Sequence, residues 1–177
     1  HPAVRGCLTY LGIDQGFEVN HAGDLPARTG LGSSSAFTVG LLHALHALEG
    51  RYVGRDQLAR EAIDVEQNVL HEVVGIQDQI ECAYGGLNVI EIRRDGTYHV
   101  HPVVLKPGRL DFLRSHLMLY FTGLVRHASE VAAAQVANTQ NKVPELKAMM
   151  AMVQHPEAGT FRLTTGATER VKMSTRR

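Results

Sequence analysis

The chain has 177 residues, in which 18 Lys and Arg balance 18 Asp and Glu, and it contains two cysteines. Balanced charge gives no strong electrostatic attraction to nucleic acid or to an anionic membrane, so the expected partner is a small molecule, with no nucleic acid and no membrane involved. Cys7 and Cys82 stand far apart without Cys-x-x-Cys spacing, which fits reduced thiols in a cytoplasmic protein better than a disulfide framework. No apolar run is long enough to span a bilayer, and no signal peptide opens the chain. The first residue is His1 rather than Met, so sequence upstream of it is expected. The length supports one domain or parts of two.

Ala3 to Ile13 carries apolar residues at helical spacing, and Phe17 to Leu25 reads as a strand. The run Asp24 to Ala36 then feeds a loop rich in glycine and serine into a helix predicted over Ser33 to Leu48. Gly30 and Gly32 let the backbone turn tightly and approach a ligand, and the helix start presents unpaired N–H groups, so the loop reads as an anion site suited to a nucleotide phosphate. Ser33, Ser34 and Ser35 add hydroxyls that cap the helix or reach a phosphate-bound metal. A turn that only caps its helix has the same local pattern, and both readings stand at this level. The loop is not a Walker A motif, because no Lys precedes Lys106, and it departs from the Rossmann fingerprint at Ser35, where a third glycine belongs.

The Ser33 to Leu48 helix is apolar nearly all round and is expected to be buried, ending near Gly50. His43 and His46 have a spacing that can chelate a metal, but without acidic or Cys partners nearby they read as partly buried or edge histidines.

Arg55 to about His71 is predicted as a second helix with one acid, Glu66, on its apolar side; the local alternatives are a solvated glutamate or one paired with Arg60. Asp78 follows an apolar, glycine-containing turn and opens another short helix, where an N-cap role is the local alternative. Leu87 to Ile92 and Tyr98 to Leu105 alternate around Asp95-Gly96 as a hairpin, with His99 and His101 on one side. Lys106-Pro107-Gly108 breaks the pattern and marks a domain junction. His116 to Phe121 then reads as a strand, with helices from His127 to about Asn138 and from Pro144 to about Val153. Arg126 has the guanidinium fork that grips a phosphate, although for any single Arg a surface or structural role is the commoner one. The basic stretch Arg170 to Arg177 reads as a frayed or artificially terminated end.

Asp24 to Ala36 resembles the second motif of the GHMP kinase family, of the form P-x-x-x-G-L-G-S-S, and the later Gly75-Ile76-Gln77-Asp78-Gln79 matches the family context of a catalytic aspartate. Ser33 to Phe37, Gly75 to Gln79, Gly85 to Asn88 and Tyr120 to Arg126 together resemble the heptose 7-phosphate kinase branch. The resemblance spans most of residues 1 to about 153 and lacks the family's first and third motifs.

It implies an α+β fold: part of a ribosomal S5 domain 2-like N-terminal domain over residues 1–106, followed by the start of a ferredoxin-like C-terminal domain over 107–177. It implies ATP and Mg²⁺ as cofactors. The nucleotide would be held by Pro26, Arg28, Gly30, Leu31, Gly32, Ser33, Ser34 and Ser35. Ser34 and Glu66 would ligate the metal. Asp78 would be catalytic and meet the sugar hydroxyl, and Arg126 would meet substrate phosphate. The implied reaction is phosphorylation of a sugar or sugar phosphate, at the anomeric hydroxyl of D-glycero-D-manno-heptose 7-phosphate. A galactokinase- or fucokinase-like enzyme and a noncatalytic nucleotide-binding fragment are the alternatives.

Overall fold

The computed structural model describes residues 1–23, 31–120, 128–154, 162–164 and 170–172. The chain divides into two compact units, His1–Ala133 and Ala134–Arg177.

The first unit is built on four helices. Helix α1, Pro2–Leu11, starts with Pro at its first position and ends at Gly12, an order favoured because Pro lacks the N–H that a helix start cannot use. Helix α2 is Ser33–Leu48, α3 is Arg55–Asp64, and α4 is Gln77–Tyr84. Their apolar faces converge on Cys7, Val39, Leu42, Leu45, Leu58, Ala62 and Val65. Leu42 and Ile80 are completely buried, and burial of such a side chain stabilises by roughly 1.5–3 kcal/mol. A polar pair lies in the same interior: His46 on α2 meets Glu61 on α3 at 2.6 Å, and Gln57 donates to the other Glu61 oxygen at 2.8 Å.

The expected helix from Arg55 to His71 stops being α-helical at Asp64. Val65–Val69 forms a π turn, in which the Leu70 N–H donates to the Val65 carbonyl at 2.9 Å. Helix α2 is also less enclosed than its apolar sequence predicts, since Ala36, Gly40, His43, Ala44, Ala47 and Leu48 are exposed. Its buried side carries the branched residues, and its open side is lined mostly by small ones.

Strands β1, Asn88–Ile92, and β2, Tyr98–Pro102, form the expected antiparallel hairpin, with Ile90 opposite Val100 and Glu91 opposite His99. The Asp95 carboxylate holds the turn by accepting from the Thr97 N–H and hydroxyl at 2.9 and 2.6 Å. Side-chain hydrogen bonds from both strands fasten the hairpin to the helices. Tyr98 donates to Asp56 at 2.9 Å, and Asn88 donates to Glu81 at 2.9 Å. His99 and His101 do share a face, with ring centroids 6.4 Å apart.

Two expected strands are corrected. Residues 17–23 and 117–120 take up no regular structure, His116 is the C-cap of the helix Arg109–Ser115, and residues 24, 25 and 121 of the expected strands lie outside the described residues. An isolated strand leaves its N–H and C=O groups unpaired, and among the described residues neither segment has a ladder partner. Between them lies a helix that the periodicity did not reveal: α5, Arg109–Ser115, entered through Gly108 at φ 76°.

Helix α6 covers Ala128–Ala137, and a 3₁₀ turn covers Thr139–Lys142. Helix α7 covers Val143–Gln154, where the Lys142 ammonium meets Glu145 at 2.9 Å across its first turn. Strands β3, Arg162–Thr164, and β4, Arg170–Lys172, pair antiparallel. Residues 170–172 are thus a paired strand rather than a frayed end.

Candidate functional site

Helix α2 starts without a side-chain cap. Its N-cap is Gly32 at φ 70°, no side chain bonds to the cap position, and the first turn carries no acid. A left-handed φ costs an L-residue about 1–2 kcal/mol and costs glycine little, so Gly32 is the residue type this entry requires. The first intrahelical bond runs from the Ala36 N–H to the Gly32 carbonyl at 2.9 Å. The N–H groups of Ser33, Ser34 and Ser35 therefore open the helix on its positive end, where anions are favoured. The serines do not cap the helix as the local reading allowed. Ser34 is exposed, its carbonyl accepting from Thr38 at 3.2 Å, whereas Ser35 points inward.

Ser35 meets Glu66. Its hydroxyl donates to Glu66 Oε2 at 3.0 Å, and the Gln79 side-chain amide donates to the same oxygen. Glu66 is 1 % exposed, so it is neither a solvated surface acid nor a partner of Arg60, which bonds Asp56 at 2.8 Å instead. Among the described residues its other oxygen, Oε1, is buried without a hydrogen-bond partner. A buried carboxylate held only by neutral donors is short of positive charge.

The field of Glu66 reaches its neighbours. Burial, with the Glu66 charge adding to it, pushes the Cys7 thiol up to about 12. Burial first and Glu66 second also raise Glu72, and burial, Asp78 and Glu66 in that order raise Cys82. Both cysteines are free.

The π turn delivers Glu66 to this position, and such turns recur at functional sites. The chain leaves it through His71 in the left-handed region at φ 55°, a conformation that costs a non-glycine residue energy and must be held by its surroundings. The Glu72 N–H donates to the Glu66 carbonyl at 2.9 Å, and the Gln67 amide donates to the Val74 carbonyl at 2.9 Å, closing the return to α4.

Asp78 lies in the first turn of α4, two residues past the N-cap; that cap is Ile76 rather than Asp78, and no side chain caps it. The side chain of Asp78 is exposed and lies against Gly32: a Cβ added to Gly32 would sit 3.5 Å from Asp78 Cγ and Oδ2. Forty-six residues apart in number, the end of the glycine-serine loop and the acid of the later motif are neighbours. An open cleft of about 500 Å³ adjoins them, lined by Val19, His21, Leu31, Ser33, Phe37 and Leu41 among others.

Gly32, Ser33, Ser35, Glu66 and Asp78 thus gather at one end of the helical core. Pro26, Arg28, Gly30 and Arg126 lie outside the described residues. Gln79 was missed at the sequence level, although it stands in the motif quoted for Asp78. Among the described residues, no group of three or more His, Cys, Asp and Glu side chains forms a metal site, so the His43–His46 and His99–His101 pairs gain no third ligand. Nor is any described helix long and apolar enough to cross a membrane.

Residues 3–86 match the family model for the GHMP kinases N terminal domain. The chain is 30% identical over 115 residues to a D-glycero-alpha-D-manno-heptose 7-phosphate kinase of Campylobacter jejuni, covering 65% of this chain and 34% of that protein. It is 28% identical over 95 residues to a mevalonate kinase of Methanocaldococcus jannaschii, covering 52% of this chain and 30% of that one. The chain therefore spans about a third of the length of these curated relatives. Among solved structures, a D-glycero-D-manno-heptose 1-phosphate kinase from Bacteriodes thetaiotaomicron superimposes with a TM-score of 0.61 at 27% identity, covering 77% of this chain and 48% of that one. Two separate motifs are thus brought together at an uncapped helix start, on the segment, residues 3–86, that is similar to the N-terminal domain of the GHMP kinases.

Proposed function

We propose that the chain is the nucleotide- and metal-binding part of an ATP-dependent kinase that phosphorylates a sugar, at the anomeric hydroxyl of D-glycero-D-manno-heptose 7-phosphate. The observation that carries the reading is the meeting of three features: the uncapped start of α2, the buried Glu66 with a free oxygen, and Asp78 against Gly32. The similarity to heptose phosphate kinases supports the sugar.

In this reading the loop that ends at Gly32, from Pro26 and Arg28 through Gly30 and Leu31, and the amides of Ser33, Ser34 and Ser35 bind the ATP phosphates, and the adjoining cleft is large enough for a nucleoside. Glu66 and Ser34 would hold Mg²⁺, since the orphaned Glu66 oxygen fits a hard cation that needs few protein oxygens. Bound there, Mg²⁺ would supply positive charge to the phosphate oxygens.

Asp78 accepts the proton of the attacking hydroxyl as its oxygen bonds to the γ-phosphorus and the bond to the ADP oxygen breaks. Its place in the first turn of α4 sets it beside Gly32 at the start of α2. Arg126 grips the substrate phosphate through its fork. The fold proposal is an S5 domain 2-like N-terminal domain over 1–106 with a ferredoxin-like domain starting at 107.

The test is a phosphoryl-transfer assay on the complete gene product with ATP, Mg²⁺ and a panel of heptose 7-phosphate, galactose, fucose and mevalonate. Heptose 7-phosphate should be turned over with the highest kcat/KM. Preference for another acceptor would overturn the substrate, and hydrolysis or transfer to none of them would overturn the kinase reading.

A further inference from the structure

We infer that Gln79 is a positioning residue for Glu66: it holds one carboxylate oxygen so that the other stands free toward a divalent cation. The inference rests on the reading of Glu66 as a metal ligand and adds the residue that orients it.

Gln79 is completely buried, in the first turn of α4 and next to Asp78. A buried glutamine in a helical core is costly unless its amide is used. Here its N–H donates to Glu66 Oε2, the oxygen that also accepts from Ser35 at 3.0 Å. Both donors go to one oxygen, and Oε1 receives none. The terminal torsion of a glutamate is soft, so without these donors the carboxylate would turn freely and share its charge between two orientations. With them it presents one oxygen in one direction.

A second observation points the same way. Gln79 Oε1 is also buried without a partner among the described residues. Two acceptor oxygens cannot satisfy each other, so the pair is short of donors or positive charge on both residues. A hydrated divalent cation would supply both needs, positive charge for Glu66 and a donor for Gln79, since Mg²⁺ characteristically keeps several waters. Gln79 also links the two halves of the site: its side chain holds Glu66 while its backbone carries Asp78 in the preceding position.

The experiment titrates Mn²⁺ alone into the complete gene product, following the spectrum of the free aquo ion by electron paramagnetic resonance. Gln79→Met keeps the length of the side chain and removes its amide; Glu66→Gln is the ligand control. Outer-shell partners of metal ligands contribute roughly 10–100-fold to metal affinity. Gln79→Met should weaken Mn²⁺ binding by that factor, with the affinity for metal-free ATP unchanged. Ser35→Ala, which removes the other donor to Oε2, should weaken Mn²⁺ in the same direction, and Ser35→Thr should restore it.

Weakened binding in Glu66→Gln with unchanged binding in Gln79→Met would overturn the positioning role and leave the metal reading intact. Unchanged binding in both would overturn the metal reading itself. Should Gln79→Met fail to fold, Gln79→Asn carries the same test, since it keeps the polarity but withdraws the amide by one methylene.

Discussion

Ser35 and Glu66, 31 residues apart in sequence, are joined by a buried 3.0 Å hydrogen bond. This bond ties the first turn of α2 to the π turn after α3, so the helix start and the buried acid move as one. A loose glycine-serine loop would order itself only when a ligand binds. Here its exit is already anchored, which lowers the entropy cost of gripping a phosphate.

Glu66→Gln should separate stability from metal dependence. Among the described residues the carboxylate is buried with two neutral donors and no positive partner, so in the metal-free protein its replacement should leave the melting temperature equal or higher. The amide cannot serve as an anionic metal ligand, so the Mg²⁺ requirement for turnover should rise and metal-induced stabilisation should shrink. Thermal melts with and without Mg²⁺, beside a magnesium titration of kcat, read both effects. A large drop in metal-free stability would show that the carboxylate is structural.

For Asp78→Asn, the size is kept while the charge and proton acceptor are lost. Turnover should fall by on the order of 10²–10⁴-fold, with nucleotide affinity close to the parent value. Steady-state kinetics together with equilibrium nucleotide binding check this, and near-normal kcat would remove Asp78 from the chemical step.

Gly32→Ala tests the left-handed entry to α2. The new methyl meets Asp78 only at ordinary contact distance, so the cost comes from the backbone at φ 70°, about 1–2 kcal/mol. The melting temperature should fall, and nucleotide affinity should fall with it as the start of α2 shifts. Unaltered affinity in a folded Gly32→Ala protein would detach the helix start from nucleotide binding.

Acid stability should depend on Asp56. Burial raises the pKa of this carboxyl, but hydrogen bonds from Arg60, Tyr98 and Tyr84 outweigh it, leaving a net lowering. A depressed folded-state pKa contributes stability above the unfolded value of about 3.9, and that stability is lost as pH falls through the folded value. Asp56 is half exposed, so solvent screening holds the contribution to about 1 kcal/mol or less. Tyr98→Phe should move the onset of acid unfolding to higher pH, measured by circular dichroism between neutral pH and pH 2, with little change at neutral pH beyond the lost hydrogen bond.

The buried His46–Glu61 pair should behave differently from that surface cluster. Both side chains are about nine-tenths enclosed. His46→Ala leaves the Glu61 carboxylate with only Gln57, and loss of a buried partner costs about 1–3 kcal/mol. Denaturant unfolding should show this loss, while His43→Ala, on the exposed side of the same helix, should be nearly neutral.

The amino-acid sequence by itself determined the elements whose signals are local. The start and end of α2 at Ser33 and Leu48, the short helix carrying Asp78, and the hairpin about Asp95-Gly96 were all legible, because flanking glycines, helical period and turn chemistry act over a few neighbouring residues. The two motifs were legible for the same reason. Packing alone decided that Glu66 is buried rather than solvated, that Ser35 rather than Ser34 touches it, and that Gln79 completes the contact. It also decided the failure of 17–23 and 117–120 to form strands, since a strand exists only with a neighbour. Partners 13 to 31 residues apart meet because α2, α3 and α4 close on one apolar core, and no local propensity encodes which polar groups that closure brings within hydrogen-bond reach.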